Sequence, residues 1–157
     1  MTNLTLAQSY LVKAQKRLLV LDLLFKEGAY SDVVREAQEV VELASKAMLR
    51  QVGVDPPKQH DVGGLLVDFR DRFGAEVAAQ VERLADISKW LRKERELAFY
   101  GDTDFVPTSE YGPGDARKAI DDARFVVQAA TQVVKLGPEP GPTGGQWRST
   151  KTANHRT

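Results

Sequence analysis

The chain has no cysteine and only two histidines, His60 and His155. The first absence removes disulfides, thiolate metal sites and a cysteine nucleophile, and the second leaves too few imidazoles for a histidine-based metal cluster. An excess of charge is lacking too: 22 basic residues balance 22 acidic ones, so no global field draws the protein to nucleic acid or to an anionic membrane. Any contact with RNA must therefore be a local patch. Long hydrophobic runs are also missing. The most apolar stretch, Leu18 to Phe25, is too short to cross a bilayer, contains Asp22, and has no cleavable leader pattern around it. These absences argue for a cytoplasmic protein with no metal, no cofactor and no membrane partner.

What is present is enough for one core: 42% of the 157 residues are hydrophobic, the proportion and length of a single domain. The apolar residues recur at helical steps. Leu6, Tyr10, Ala14, Leu18, Leu21 and Phe25 form one stripe on a first helix that starts near Thr2 or Thr5 and ends at Gly28. Leu11, Leu19, Val20 and Leu24 widen that surface beyond one neighbour, so this helix is either central or part of an oligomer interface. Ser31 is the expected N-cap of a second helix with Val34, Ala37, Val41, Ala44 and Met48 inside and Glu42 and Lys46 paired outside, ended by Gly53.

Pro56 and Pro57 place a loop next. A third, short helix is expected from about Asp61 to Phe73, burying Leu65, Leu66, Phe69 and Phe73. A long fourth helix follows Gly74 and reaches roughly Phe99, with Val77, Val81, Leu84, Ser88, Leu91 and Ala98 on one side and Arg95 on that same side. Gly101 to Gly114 reads as a loop of functional length. Asp115 is the expected cap of a fifth helix with a narrow stripe of small residues, Ala116, Ala119, Ile120, Ala123, Val127, Ala130 and Val134. No strand-like alternation or internal repeat interrupts this pattern, which predicts an all-α, up-and-down bundle of about five helices over residues 1–136. Residues 137–157, rich in Gly and Pro, are expected to form a flexible tail.

The run Ala37-Gln38-Glu39-Val40-Val41-Glu42-Leu43-Ala44-Ser45-Lys46-Ala47-Met48-Leu49, then Gly53, His60-Asp61-Val62 and Leu65-Leu66, resembles the signature of the HEPN family. Arg95-Glu96-Leu97-Ala98-Phe99-Tyr100-Gly101-Asp102 followed by Asp115-Ala116 looks like the second half of that family's pattern, so the resemblance covers about residues 5 to 136. It implies a helical homodimer, often encoded beside a small nucleotidyltransferase and in many members an RNA-cleaving toxin. The nuclease members place an Arg and a His near the end of a helix at the dimer interface. Arg95 stands in the matching place here, but the position expected to be His is Tyr100. A phenol stays protonated at neutral pH and is a poor general base for a 2′-hydroxyl, so the resemblance implies metal-independent endoribonuclease chemistry only with a departed motif. The tail contains Arg148 and His155 at a similar spacing, but a flexible segment cannot hold two groups in catalytic geometry.

Arg95 and Tyr100 are therefore the candidate catalytic pair. A guanidinium on an apolar face needs a carboxylate, a phosphate or a helix end, so an interhelical ion pair competes with phosphate binding for Arg95. On a regular helix the two residues stand about 140° apart, and their cooperation needs the helix to end near Phe99 or a pairing across two copies. Lys89, Arg92 and Lys93 beside them are candidate nucleotide or RNA contacts, with Trp90 as a base-stacking surface, against the plainer readings of a solvated charged face and a packed indole. His60 and Asp61 are expected to be structural, fixing the loop and the start of the third helix. Gly112-Pro113-Gly114 lacks the Lys and hydroxyl of a phosphate-binding loop. Two readings result: a homodimer in a nucleotide- or RNA-linked module, partnered by a nucleotidyltransferase, and a non-catalytic interaction or nucleotide-binding module. A tail docking peptide around Trp147, Arg148, Lys151 and Arg156 is a third.

Overall fold

The computed structural model describes residues 4–56, 58 and 61–137. Among them seven helices follow in order: α1 Leu6–Lys26, α2 Tyr30–Gln51, α3 Val62–Asp68, α4 Ala75–Ala78, α5 Val81–Phe99, α6 Pro107–Glu110 and α7 Pro113–Val133. The four long ones build the expected bundle. Most of the expected tail, and His60 with it, lies outside the described residues.

Of the two possible starts for α1, Thr5 is the cap. Its hydroxyl accepts the Gln8 N–H at 3.1 Å, while Gln8 Oε1 accepts the Thr5 N–H at 2.9 Å, so two orphan donors are satisfied reciprocally. The buried face of α1 is Ala7, Leu11, Ala14 and Leu21, one step round from the expected stripe, and Leu6 is left half exposed. Gly28, at φ +70°, closes the turn into α2. The Ala29 N–H bonds Leu24 O at 2.9 Å and the rings of Phe25 and Tyr30 meet at 5.4 Å across the turn. The turn is so short that α2 begins at Tyr30. Ser31, expected as its cap, is consequently inside the helix and buried, and the true N-cap, Ala29, offers no side-chain bond.

Two expected helices are broken. The third runs only to Asp68, capped at its start by Asp61, whose carboxylate accepts the Gly63 N–H at 3.1 Å, and continues as a 3-10 turn over Arg70–Arg72. The fourth divides into α4 and α5 at Ala79 and Gln80, both ordinary helix formers. The break is tertiary in origin: Val77 and Val81 are both buried, and the interruption lets α4 pack against α7 while α5 lies along α2 and α3. At the start of α7, Pro113 occupies the first turn and Gly112 is the cap. Asp115, expected to be the cap, sits three residues later and accepts the Gly112 N–H at 2.9 Å.

α2 is central, packing on α1, α3, α5 and α7. The small-residue stripe of α7, Ala116, Ala119, Ala123 and Ala130, is fully buried. No helix among the described residues is long and apolar enough to cross a membrane.

Where α3 crosses α5, Gly63 sets the spacing: a Cβ there would lie 2.8 Å from Ala85 Cα and 3.2 Å from Ser88 Cβ. Gly63→Val is expected to destabilise the protein by about 2 kcal/mol through overpacking. Gly64→Ala meets only ordinary contacts with Asp61 and is expected to be neutral or to stabilise by up to ~1 kcal/mol. Urea denaturation of both variants checks the pair, and equal effects would contradict the close approach.

Candidate functional site at the end of α5

α2 is enclosed by four neighbours, but a polar strip of it, carrying Arg35, Glu36, Glu39 and Glu42, is only partly covered. A ladder of charges crosses this strip. From α1, Arg17 pairs with Glu36, which raises the Arg17 pKa through its hydrogen bond and charge. Within α2, Arg35 holds Glu39 at 2.6 Å, and Gln38 donates to Glu42 at 3.1 Å. From α5, Arg95 reaches the same Glu39 oxygen at 3.7 Å. One carboxylate thus serves two guanidiniums, and the Arg95 side chain stays 48% exposed. Expected on the buried side of its helix, Arg95 does project from that side of α5, but it is exposed there and finds an interhelical partner.

α5 ends one turn later. Phe99, four residues beyond Arg95 and on its face, lies under the Arg35 guanidinium, 5.6 Å from its ring centroid. Tyr100 is the C-cap, still at φ −98° and ψ −30°, with its N–H bonded to Glu96 O at 2.8 Å. Because the backbone remains helical through Tyr100, its side chain leaves the axis about 140° round from Arg95, so the structure does not bring these two candidates together within one chain. Instead Tyr100 stands against Phe99, ring centroids 4.8 Å apart, and the two rings are 80% and 53% exposed. Two cations and two open aromatic rings share this end of the molecule.

The loop after α5 is tied back to it. Gly101, at φ +71°, makes a turn so close that a Cβ would fall 2.3 Å from Phe105 O. Asp102 and Phe105 exchange backbone hydrogen bonds at 2.9 Å, and Phe105 meets the Tyr111 ring edge-on at 5.6 Å. Tyr111, nearly buried, donates its hydroxyl to Glu94 Oε2 at 2.6 Å. Burial, then the Glu94 carboxylate and the charge of Asp115, push the Tyr111 phenol pKa well above its ordinary value.

The other candidates are spread around α5. Arg92 lies 3.8 Å from Asp61, so Asp61 both caps α3 and faces α5. Lys89 and Lys93 are exposed, but Lys93 points about 160° away from Arg95. Trp90 is half buried toward α7: its indole N–H donates to Asp122 at 2.9 Å, and Lys118 Nζ covers its face at 3.8 Å. Edge and face are both engaged within the molecule. Among the described residues no group of three His, Cys, Asp or Glu side chains is arranged to hold a metal. A separate open cleft of about 580 Å³, lined by Gln51, Arg72, Phe73, Gln132 and Lys135 among others, lies at the opposite end of α2.

Glu39, Arg35, Phe99 and Tyr111 were not singled out in the sequence. In the sequence Arg35 and Glu39 stand only as polar residues on the exposed face of the second helix, and nothing local marks Tyr111 as a tether.

The family model for the HEPN domain matches residues 7–133 of the chain. No curated protein matches it.

The Tyr111 tether has a pH signature. With its folded pKa raised, its contribution to stability is fully present below the unfolded value near 10 and is lost as pH rises toward the folded one. Thermal melts above pH ~10 are expected to fall more steeply for the wild type than for Tyr111→Phe. Parallel slopes would show that the phenol is not held as described.

Proposed function

Because the chain belongs to the HEPN domain family, we propose that it acts as a homodimer in a nucleotide- or RNA-linked module, meeting its ligand through the end of α5. The observation that carries the ligand contact is the arrangement around Glu39. A single carboxylate between Arg35 and Arg95 orients both guanidiniums yet leaves a net positive charge, which a phosphate can take up by bidentate hydrogen bonds. Phe99 and Tyr100, open beside them, offer ring faces to a nucleobase. Lys89, Arg92 and Lys93 add long-range attraction along the same helix, while Trp90 serves packing.

In this reading the module binds more than it cuts. Tyr100 in the place of a catalytic histidine supplies a hydrogen-bond donor and a stacking surface but no general base at neutral pH. A second reading keeps a metal-independent endoribonuclease of the toxin type, with Arg95 and Tyr100 as its catalytic pair and a nucleotidyltransferase as partner. It draws support from the position of Tyr100, at the helix end and 80% exposed, where a second copy could meet it.

Fluorescence titration with labelled single-stranded RNA and with nucleoside triphosphates tests the first reading. Arg95→Ala is expected to weaken binding about tenfold, the loss of one charge-assisted contact of ~1.4 kcal/mol. Glu39→Gln keeps an acceptor oxygen beside both guanidiniums but removes the competing negative charge, and is expected to tighten binding several-fold. Binding untouched by either change would remove the α5 end from the reaction. Incubation with transfer and messenger RNA decides the second reading: no cleavage by the wild type, or cleavage unchanged in Arg95→Ala, eliminates it.

A further inference from the structure

The cleft at the far end of α2 is put together from three parts of the chain: Gln51 closes α2, Arg72 and Glu76 stand where the 3-10 turn runs into α4, and Gln132 and Lys135 stand at the end of α7. Phe73, Val77 and Val133 give it an apolar lining, the first two of them buried. Arg72 is its fixed member. One guanidinium N–H donates to Val52 O at 3.0 Å, which satisfies a free carbonyl at the end of α2, and the guanidinium carbon stands 4.9 Å from the centroid of the Phe69 ring. The guanidinium makes no second hydrogen bond among the described residues, so its other edge is unspent. Neither Arg72 nor Lys135 pairs with a carboxylate among the described residues, and Glu76 pairs with no cation there.

We infer that this cleft is a separate ligand site and that it takes a small hydroxylated anion, a phosphomonoester or carboxylate of about sugar size. The open edge of the Arg72 guanidinium offers parallel N–H donors to an oxyanion, a geometry that phosphate and carboxylate match alike. Lys135 adds a second positive charge, and the two cations outweigh Glu76, so the cleft favours an anion over a cation. Val52 O and the Phe69 ring hold the guanidinium in place before a ligand arrives, which reduces the side-chain entropy lost on binding. Glu76 repels a bare anion but accepts the hydrogen of a hydroxyl group, and the Gln51 and Gln132 amides both donate and accept. Together these three select an anion that carries hydroxyls. The volume of about 580 Å³ falls within the ~300–1,000 Å³ of small-molecule sites. Gln51 lies sixteen residues beyond Arg35, about 24 Å along α2, so the cleft is distinct from the contact proposed at the end of α5 and does not rest on it.

Thermal melts of the full chain at matched ionic strength test it, because a ligand that binds only the folded state raises the midpoint. Ribose phosphate and gluconate are the probes, and ribose and inorganic phosphate are the controls. A midpoint raised more by a probe than by either control is the expected result. A response to ribose phosphate alone identifies a phosphomonoester as the ligand class, and a response to both probes identifies a site for either oxyanion. Arg72→Gln and Lys135→Gln are each expected to raise the concentration that gives half the shift about tenfold, while Arg95→Ala leaves it unchanged. Arg72 also closes α2, so Lys135→Gln, at an exposed position, decides the matter if Arg72→Gln fails to fold. No shift with either probe, an equal shift with a control, or a shift kept in the cleft variants and abolished by Arg95→Ala overturns the cleft as a ligand site.

Discussion

α2 has to bury side chains on several sides at once, and the rest of the molecule is arranged to let it. Val33, Val34, Ala37, Val40, Ala44, Ala47, Met48 and Leu49 are all fully buried, a spread too wide for a single neighbour to cover. At roughly 1.5–3 kcal/mol for each large aliphatic side chain removed from water, leaving off a neighbour that covers several of them would cost an amount comparable to the net stability of most domains of this size. α1, α3, α5 and α7 are each held in place by that demand. The short turn at Gly28, the α4–α5 break at Ala79 and Gln80, and the close approach at Gly63 all serve the same enclosure.

The candidate ligand surface is what this enclosure leaves over. Four helices do not fully cover the circumference of α2, and the half-covered strip that remains is polar. Long side chains from α1 and α5 reach across it, so Glu36 and Glu39 become meeting points for Arg17, Arg35 and Arg95. Ion pairs this exposed add little stability in isolation, but they fix where the cations stand. A cation held beside open aromatic rings is a better ligand contact than a freely rotating one, because less side-chain entropy is lost on binding.

Much of the bundle was legible in the sequence because helical periodicity is local. The stripes of α2 and α7, the stops at Gly28 and Gly53 and the loop at Pro56 each follow from neighbouring residues alone. The caps were less legible. Asp61 does cap its helix, whereas Ser31 and Asp115 have the right chemistry but the wrong position, since the Gly28 turn and Pro113 started those helices earlier. Arg95 was recognisable as an anomaly on an apolar helix, and its carboxylate partner was not. Glu39 lies 56 residues away in the chain, and no local pattern ties a residue of α2 to one of α5.

The sequence by itself determined the all-helical class, the order and approximate lengths of the long segments, and the family resemblance carried by residues on α2 and α5. These follow from covalent order and from a period of 3.6 residues. Only the tertiary structure decided which side of α1 stayed open, which carboxylate oriented Arg95, that Trp90 turned inward to Asp122 and that Tyr111 fastened the loop to Glu94. Those outcomes depend on how far apart packed helices stand and how they are rotated about their axes, and both are set jointly by all the side chains between them.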